Sequence, residues 1–158
     1  MSNENGAVGA LSGLIDRVYG WFELIPNWLI LLALRISIAM VFLQSGLTKV
    51  ENWFSFGITD QAVFLFEHEY AVPLLPPELA GWLAAFAERL CGFLIIIGFA
   101  TRLNALALFG MTLVIQIFVY PDKWLLHLGW AAALMVLMRY GAGMASADYA
   151  VARAFGRQ

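Results

Sequence analysis

Arg35, Glu88 and Arg89 lie inside long apolar runs, where each charge costs at least about 2.5–3.5 kcal/mol at the centre of a membrane helix unless a partner offsets it. A buried carboxylate beside a guanidinium can hold a helix bundle in register, or can pass protons with an affinity set by its neighbour and by burial. Either role fits Arg35 and Glu88, with Arg89 joining their ion pair or turned toward another helix. His127 can both donate and accept a proton near neutral pH, and with Lys49 and Gln116 it could hold a carbonyl or an oxyanion. The plainer readings are that His127 anchors at an interface, that Lys49 snorkels toward water, and that Cys91 packs as a small apolar residue. Adjacent helical residues point in different directions, so Glu67, His68 and Glu69 read as a solvated face, and no metal site is expected.

These side chains need elements that bring them together. Arg35, Ala39, Phe42, Gly46 and Lys49 recur at three- and four-residue steps, which is one face of a helix. The same spacing joins Gly81, Ala84, Glu88 and Cys91, then Arg102, Ala105, Phe109, Thr112 and Gln116, then Trp124, His127, Ala131, Leu134 and Met138. Helices are expected over 28–50, 79–99, 102–120 and 123–140, each able to cross a hydrocarbon core that needs about 20 residues, at least with local thinning. The short connections make consecutive helices antiparallel neighbours. Counted from the inner helix ends at about 1.5 Å per residue, Arg35 and Glu88 lie roughly 12 and 16 Å deep, which predicts their ion pair. Lys49, Gln116 and His127 would then line a pocket open to the outer face, with Glu88 at its floor.

The composition fits this plan. Hydrophobic residues make up 62% of the chain and charged residues 13%, against about 25% charged in ordinary soluble domains, and the mean hydropathy is +0.79. A net charge of −2 supplies no basic stripe for nucleic acid. One cysteine excludes an intrachain disulfide and a CxxC pair, so a thiol relay would need another protein. Residues 7–25 carry an apolar stripe of Leu11, Leu14, Ile15, Val18, Phe22 and Ile25, the pattern of a helix lying in the membrane interface. The acidic residues near the start do not fit a secretory signal. Residues 51–78 form an acidic outer loop, in which Thr59 or Asp60 caps a short helix through Tyr70. Arg17, Arg102, Arg139, Arg153 and Arg157 fall on one side and only Lys49 and Lys123 on the other, so both termini are expected in the cytoplasm.

Leu34-Arg35 with Phe42, Gly46 and Lys49, Glu88 with Gly92 and Gly98, and Thr101-Arg102 together resemble the DoxX family. His127 and the closing Tyr140-Gly141 with Gly143, Ser146 and Asp148 extend the likeness over about residues 28–150. The resemblance implies an all-α, single-domain, four-helix protein of the bacterial inner membrane, similar to subunits of a thiosulfate:quinone oxidoreductase or to components of complexes handling oxidative and thiol stress. By motif position the candidate functional residues are Arg35, Lys49, Glu88, Arg102 and His127. A quinone or a small sulfur compound is the implied ligand, and protein partners or further copies of the chain the implied company. With no flavin, haem or iron–sulfur ligand set and no cofactor of its own, the chain would take its redox centre from a partner. The alternative is a non-enzymatic anchor, scaffold or small-solute carrier whose buried charges hold the bundle together.

Overall fold

Proline and glycine punctuate the chain, and the helices run between them. In the computed structural model, which describes residues 2–70, 72, 73 and 75–156 and only the backbone of 2–12, α1 spans Ser2–Glu23 and α2 Asn27–Leu47 on either side of Pro26. Then come α3 (Asp60–Leu65), α4 (Pro77–Ile97), α5 (Thr101–Val114), α6 (Trp124–Tyr140) and α7 (Ala147–Ala154). A π-helical turn at Phe66–Tyr70 extends α3, and another at Ile115–Val119 extends α5. The described residues contain no strand. Asn27–Leu47, Pro77–Ile97 and Thr101–Val119 are long and apolar enough to cross a membrane by length and composition, while α6 is shorter at 17 residues. Of the stripe expected on α1, Leu11 lies outside the residues whose side chains are described; Leu14, Ile15, Val18 and Phe22 are all exposed.

Small residues set how the helices meet. Gly92 of α4 lies against Leu43 and Ala39 of α2, and Gly46 of α2 lies against Glu88 and Arg89. A methyl group at either glycine would fall 2.8–2.9 Å from a neighbouring carbon, so each is a close approach that only glycine permits. Phe42, Ile38 and Ala39 meet Cys91 and Ile95, and with Ala105, Leu108, Leu134 and Leu137 they form the buried core. Cys91 is thus a buried free thiol among apolar neighbours.

These contacts slide α2 along α4 toward the end at which α2 begins and α4 stops, called the inner end for short. Arg35 faces Gly98, at the inner end of α4, rather than Glu88. Relative to helices that begin at one level, the offset is about nine residues, or ~13 Å at 1.5 Å per residue. The outer half of α4 is therefore left without α2 beside it, and the loop fills the gap. Of the two expected caps Thr59 takes the role, accepting from Ala62 N at 3.2 Å, and Asp60 opens the helix. Phe66 and Ile58 pack on Gly81. Arg89 reaches this loop and donates to the Trp53 and Ser55 carbonyls at 2.8 and 3.0 Å; Trp82 Nε1 donates to the Phe56 carbonyl at 2.8 Å. The segment expected as an acidic loop is tied to α4 along much of its length.

Candidate functional site

Glu88 sits one turn from Gly92 on the α4 face that meets α2, and Lys49 follows the last turn of α2. Because Gly46 brings the backbones together at this level, the Lys49 ammonium reaches Glu88 Oε2 at 2.7 Å. The two residues are 9% and 3% exposed, so this is a buried ion pair and not the snorkelling lysine expected from sequence. Lys49 Nζ also donates to the Ser45 carbonyl at 3.0 Å and to Ser45 Oγ at 2.9 Å, and Ser45 Oγ donates to Glu88 Oε1 at 3.2 Å. The expected Arg35–Glu88 pair does not form. Arg35 and Glu88 would share a depth only if the helix ends shared a plane, and the offset between α2 and α4 removes that condition.

Arg35 is fully buried and belongs to a second polar knot at the inner end. Its Nη2 donates to the Ala145 carbonyl at 2.6 Å, and the Asp148 carboxylate acts on it at longer range. Asp148 in turn accepts from Ala100 N at 2.7 Å and Thr101 N at 3.0 Å, capping α5 from a distant part of the chain. Its own N–H donates to the Gly98 carbonyl at 2.8 Å. Arg102 is exposed and lines, with Asp148, a cavity of about 580 Å³ at this end, apart from Lys49, Glu88 and His127.

His127, near the start of α6, is 4% exposed and so is no surface anchor. Its Nδ1 lies 2.7 Å from Gln116 Oε1. Gln116 Nε2 donates to the Pro121 carbonyl at 2.9 Å, which orients the amide so that its oxygen faces the imidazole. Nδ1 therefore carries the proton and Nε2 is left with a lone pair. The N–H that the sequence reading offered to a ligand is spent on Gln116. Spacing could not find this tautomer, because it depends on a carbonyl supplied by the α5–α6 connection.

Lys49, Glu88 and His127 line one cavity of about 690 Å³, within the usual range for small-molecule sites. Gln116 stands behind His127 as its hydrogen-bond partner. Phe42 and Trp130 wall the cavity, with ring centroids 5.7 Å apart, and Trp130 also leans on His127 at 5.1 Å. The outer rim carries Phe66, Tyr70 and Tyr120. The Tyr120 hydroxyl donates to the Glu69 carboxylate, and this bond, with partial burial, pushes the phenol above its ordinary value of about 10. Glu67, His68 and Glu69 are all exposed, as expected of a solvated face, with Glu69 reached there by Tyr120. The cavity also reaches the surface sideways: Leu83 and Phe86 of α4 and Val114 of α5 line it and are 41%, 39% and 39% exposed. Ile115 and Val119, in the π-helical turn, complete that wall; such turns recur at functional sites.

Long apolar helices enclosing a buried ion pair fit an integral membrane protein. The DoxX family pattern matches residues 30–121. The chain is also 30% identical over 135 residues to an uncharacterised protein of Haemophilus influenzae, an alignment covering 79% of this chain and 85% of that one. No solved structure matches. The chain belongs to the DoxX family. Arg35, Lys49, Glu88, Arg102 and Gln116 fall inside the matched span, while His127 and Asp148 lie beyond it.

Proposed function

We propose that this chain is the membrane-embedded, quinone-binding subunit of an oxidoreductase system in the bacterial inner membrane, with the redox centre supplied by a partner protein. The observation that carries this reading is the cavity in which the buried Lys49–Glu88 pair and His127 share apolar, aromatic walls. A few convergent polar groups in an apolar pocket suit a ring headgroup, and the half-exposed lining on α4 and α5 leaves room for an apolar tail to run out into lipid. Two electrons from the partner and two protons convert a bound quinone to its hydroquinone, and the reverse releases them; His127 and Glu88 are the groups placed to exchange those protons.

The same reading has the chain crossing the bilayer four times. The 3-10 turn at Pro121–Lys123 runs without a break into α6, which supports a fourth crossing of about 20 residues. The arginines gathered at the inner end support cytoplasmic termini. The scaffold reading draws instead on the knot of Arg35, Ala145 and Asp148, which touches no cavity ligand group and needs only a structural purpose.

Purified protein titrated with a short-chain benzoquinone in either redox form, followed by quenching of tryptophan fluorescence, separates the two. Trp130 lies in the cavity wall and reports occupancy. Saturable quenching by at least one redox form in the wild type, weakened more than about tenfold for that form in His127→Phe and in Lys49→Met/Glu88→Gln, is the expected result. No saturable binding, or binding indifferent to both replacements, would leave the scaffold reading.

A further inference from the structure

The buried polar groups in the cavity wall are unequal in what they can still offer. An ammonium has three N–H donors, and Lys49 spends all three, on the Ser45 carbonyl, Ser45 Oγ and Glu88 Oε2. The Ser45 hydroxyl proton goes to Glu88 Oε1. His127 gives its N–H to Gln116, and at the rim the Tyr120 hydroxyl goes to Glu69. What remains at the buried end is acceptor capacity: the lone pair of His127 Nε2 and the further lone pairs of the Glu88 carboxylate.

Resting on the reading of this cavity as a quinone-linked site, we infer that the form it selects is the reduced one, a hydroxyl-bearing hydroquinone ring whose O–H donates to His127 Nε2. A quinone carries only acceptors. Apart from the Trp130 indole, any donor it takes at this end comes out of an existing bond, leaving Ser45, Gln116 or Glu88 short of a partner in a buried place, and a site built for one pattern of donors rejects its mismatch strongly. The hydroquinone completes the pattern and breaks nothing. The indole of Trp130 suits a ring hydroxyl oxygen as well as a carbonyl and does not reverse the preference. The first chemical step is then a proton transfer without electron movement: the ring O–H breaks, the proton joins Nε2 to give an imidazolium, and the negative charge stays on the ring oxygen. Gln116, accepting from Nδ1–H throughout, is a positioning residue.

Equilibrium dialysis of the purified full chain under anaerobic conditions tests this with three probes that share one ring: a short-chain benzoquinone, its hydroquinone, and the dimethyl ether of that hydroquinone. The hydroquinone is expected to bind more than about tenfold tighter than the quinone, with the ether, which keeps the ring and both oxygens but exchanges each hydroxyl hydrogen for a methyl group, no better than the quinone. In His127→Phe the hydroquinone's advantage should shrink to less than about threefold; the ether comparison in the wild type stands even if that variant does not fold. Quinone binding as tightly as hydroquinone, or the ether matching it, would overturn the redox-form preference while leaving the ligand class intact. Binding of none of the three would overturn the reading of the cavity itself, and this inference with it.

Discussion

A lysine that reads as a surface residue becomes, three residues after a glycine, half of a buried ion pair. Gly46 admits the α4 backbone so closely that the Lys49 ammonium meets Glu88 at 2.7 Å, and Ser45 satisfies what each partner has left. Removing one member of such a pair strands the other charge, at a cost of about 3–5 kcal/mol, whereas replacing both by isosteric neutral groups is often close to neutral. Lys49→Met alone should therefore lower the unfolding midpoint in detergent sharply, and Lys49→Met/Glu88→Gln should recover most of the loss. Equal damage in the single and double variants would mean that packing at this level, and not charge, decides stability.

At the scale of elements, the turn between α4 and α5 is the place where backbone geometry and tertiary contact depend on each other. Gly98 has φ +70 and Ala100 φ +46. A side chain at residue 98 would fall on the Arg35 guanidinium, so glycine there answers both a backbone and a packing demand. Ala100 has no such excuse: a left-handed non-glycine residue costs roughly 1–2 kcal/mol, and the Asp148 carboxylate holds it by accepting from Ala100 N and Thr101 N. Ala100→Gly should raise the unfolding midpoint by the equivalent of about 1 kcal/mol, and Asp148→Ala should lower it by about 1–2 kcal/mol while exposing Arg139 and Arg153 to faster tryptic cleavage. The pair of variants separates strain from capping. If Ala100→Gly is destabilising instead, the methyl group has a packing role that outweighs its strain.

For the whole molecule, the offset between α2 and α4 divides the labour of the two ends. At the inner end the surplus length of α2 packs under the C-terminal segment, with Gly143 against Leu31 and Trp28; at the outer end α3 and its π-helical turn stand in for the missing half of α2 and supply the rim of the cavity. The natural chain has one cysteine, and it is buried, which makes a low background for thiol labelling. With four crossings and cytoplasmic termini, a cysteine at Glu67 should react with a membrane-impermeant maleimide in intact cells, and one at Arg153 only after the membrane is opened. Labelling of the second position in intact cells would reverse the orientation.

The all-α class, the helix positions to within a few residues and the stripes carrying Lys49, Glu88, Gln116 and His127 were legible in the amino-acid sequence, because hydrophobic periodicity and length are local properties that the chain carries wherever it folds. So was a cap at Thr59 or Asp60, which depends only on neighbouring residues, though not which of the two would supply it. The partner of each charge was not legible. Whether Glu88 meets Arg35 or Lys49 is set by the slide of one helix along another, and that slide is chosen by a glycine on each helix admitting the other across more than forty residues of chain, as Gly46 meets Glu88 and Gly92 meets Ala39 and Leu43. Nor could spacing reveal that Asp148 caps α5 or that Gln116 fixes the tautomer of His127, since both rest on a few hydrogen bonds whose ends come together only once the bundle has closed.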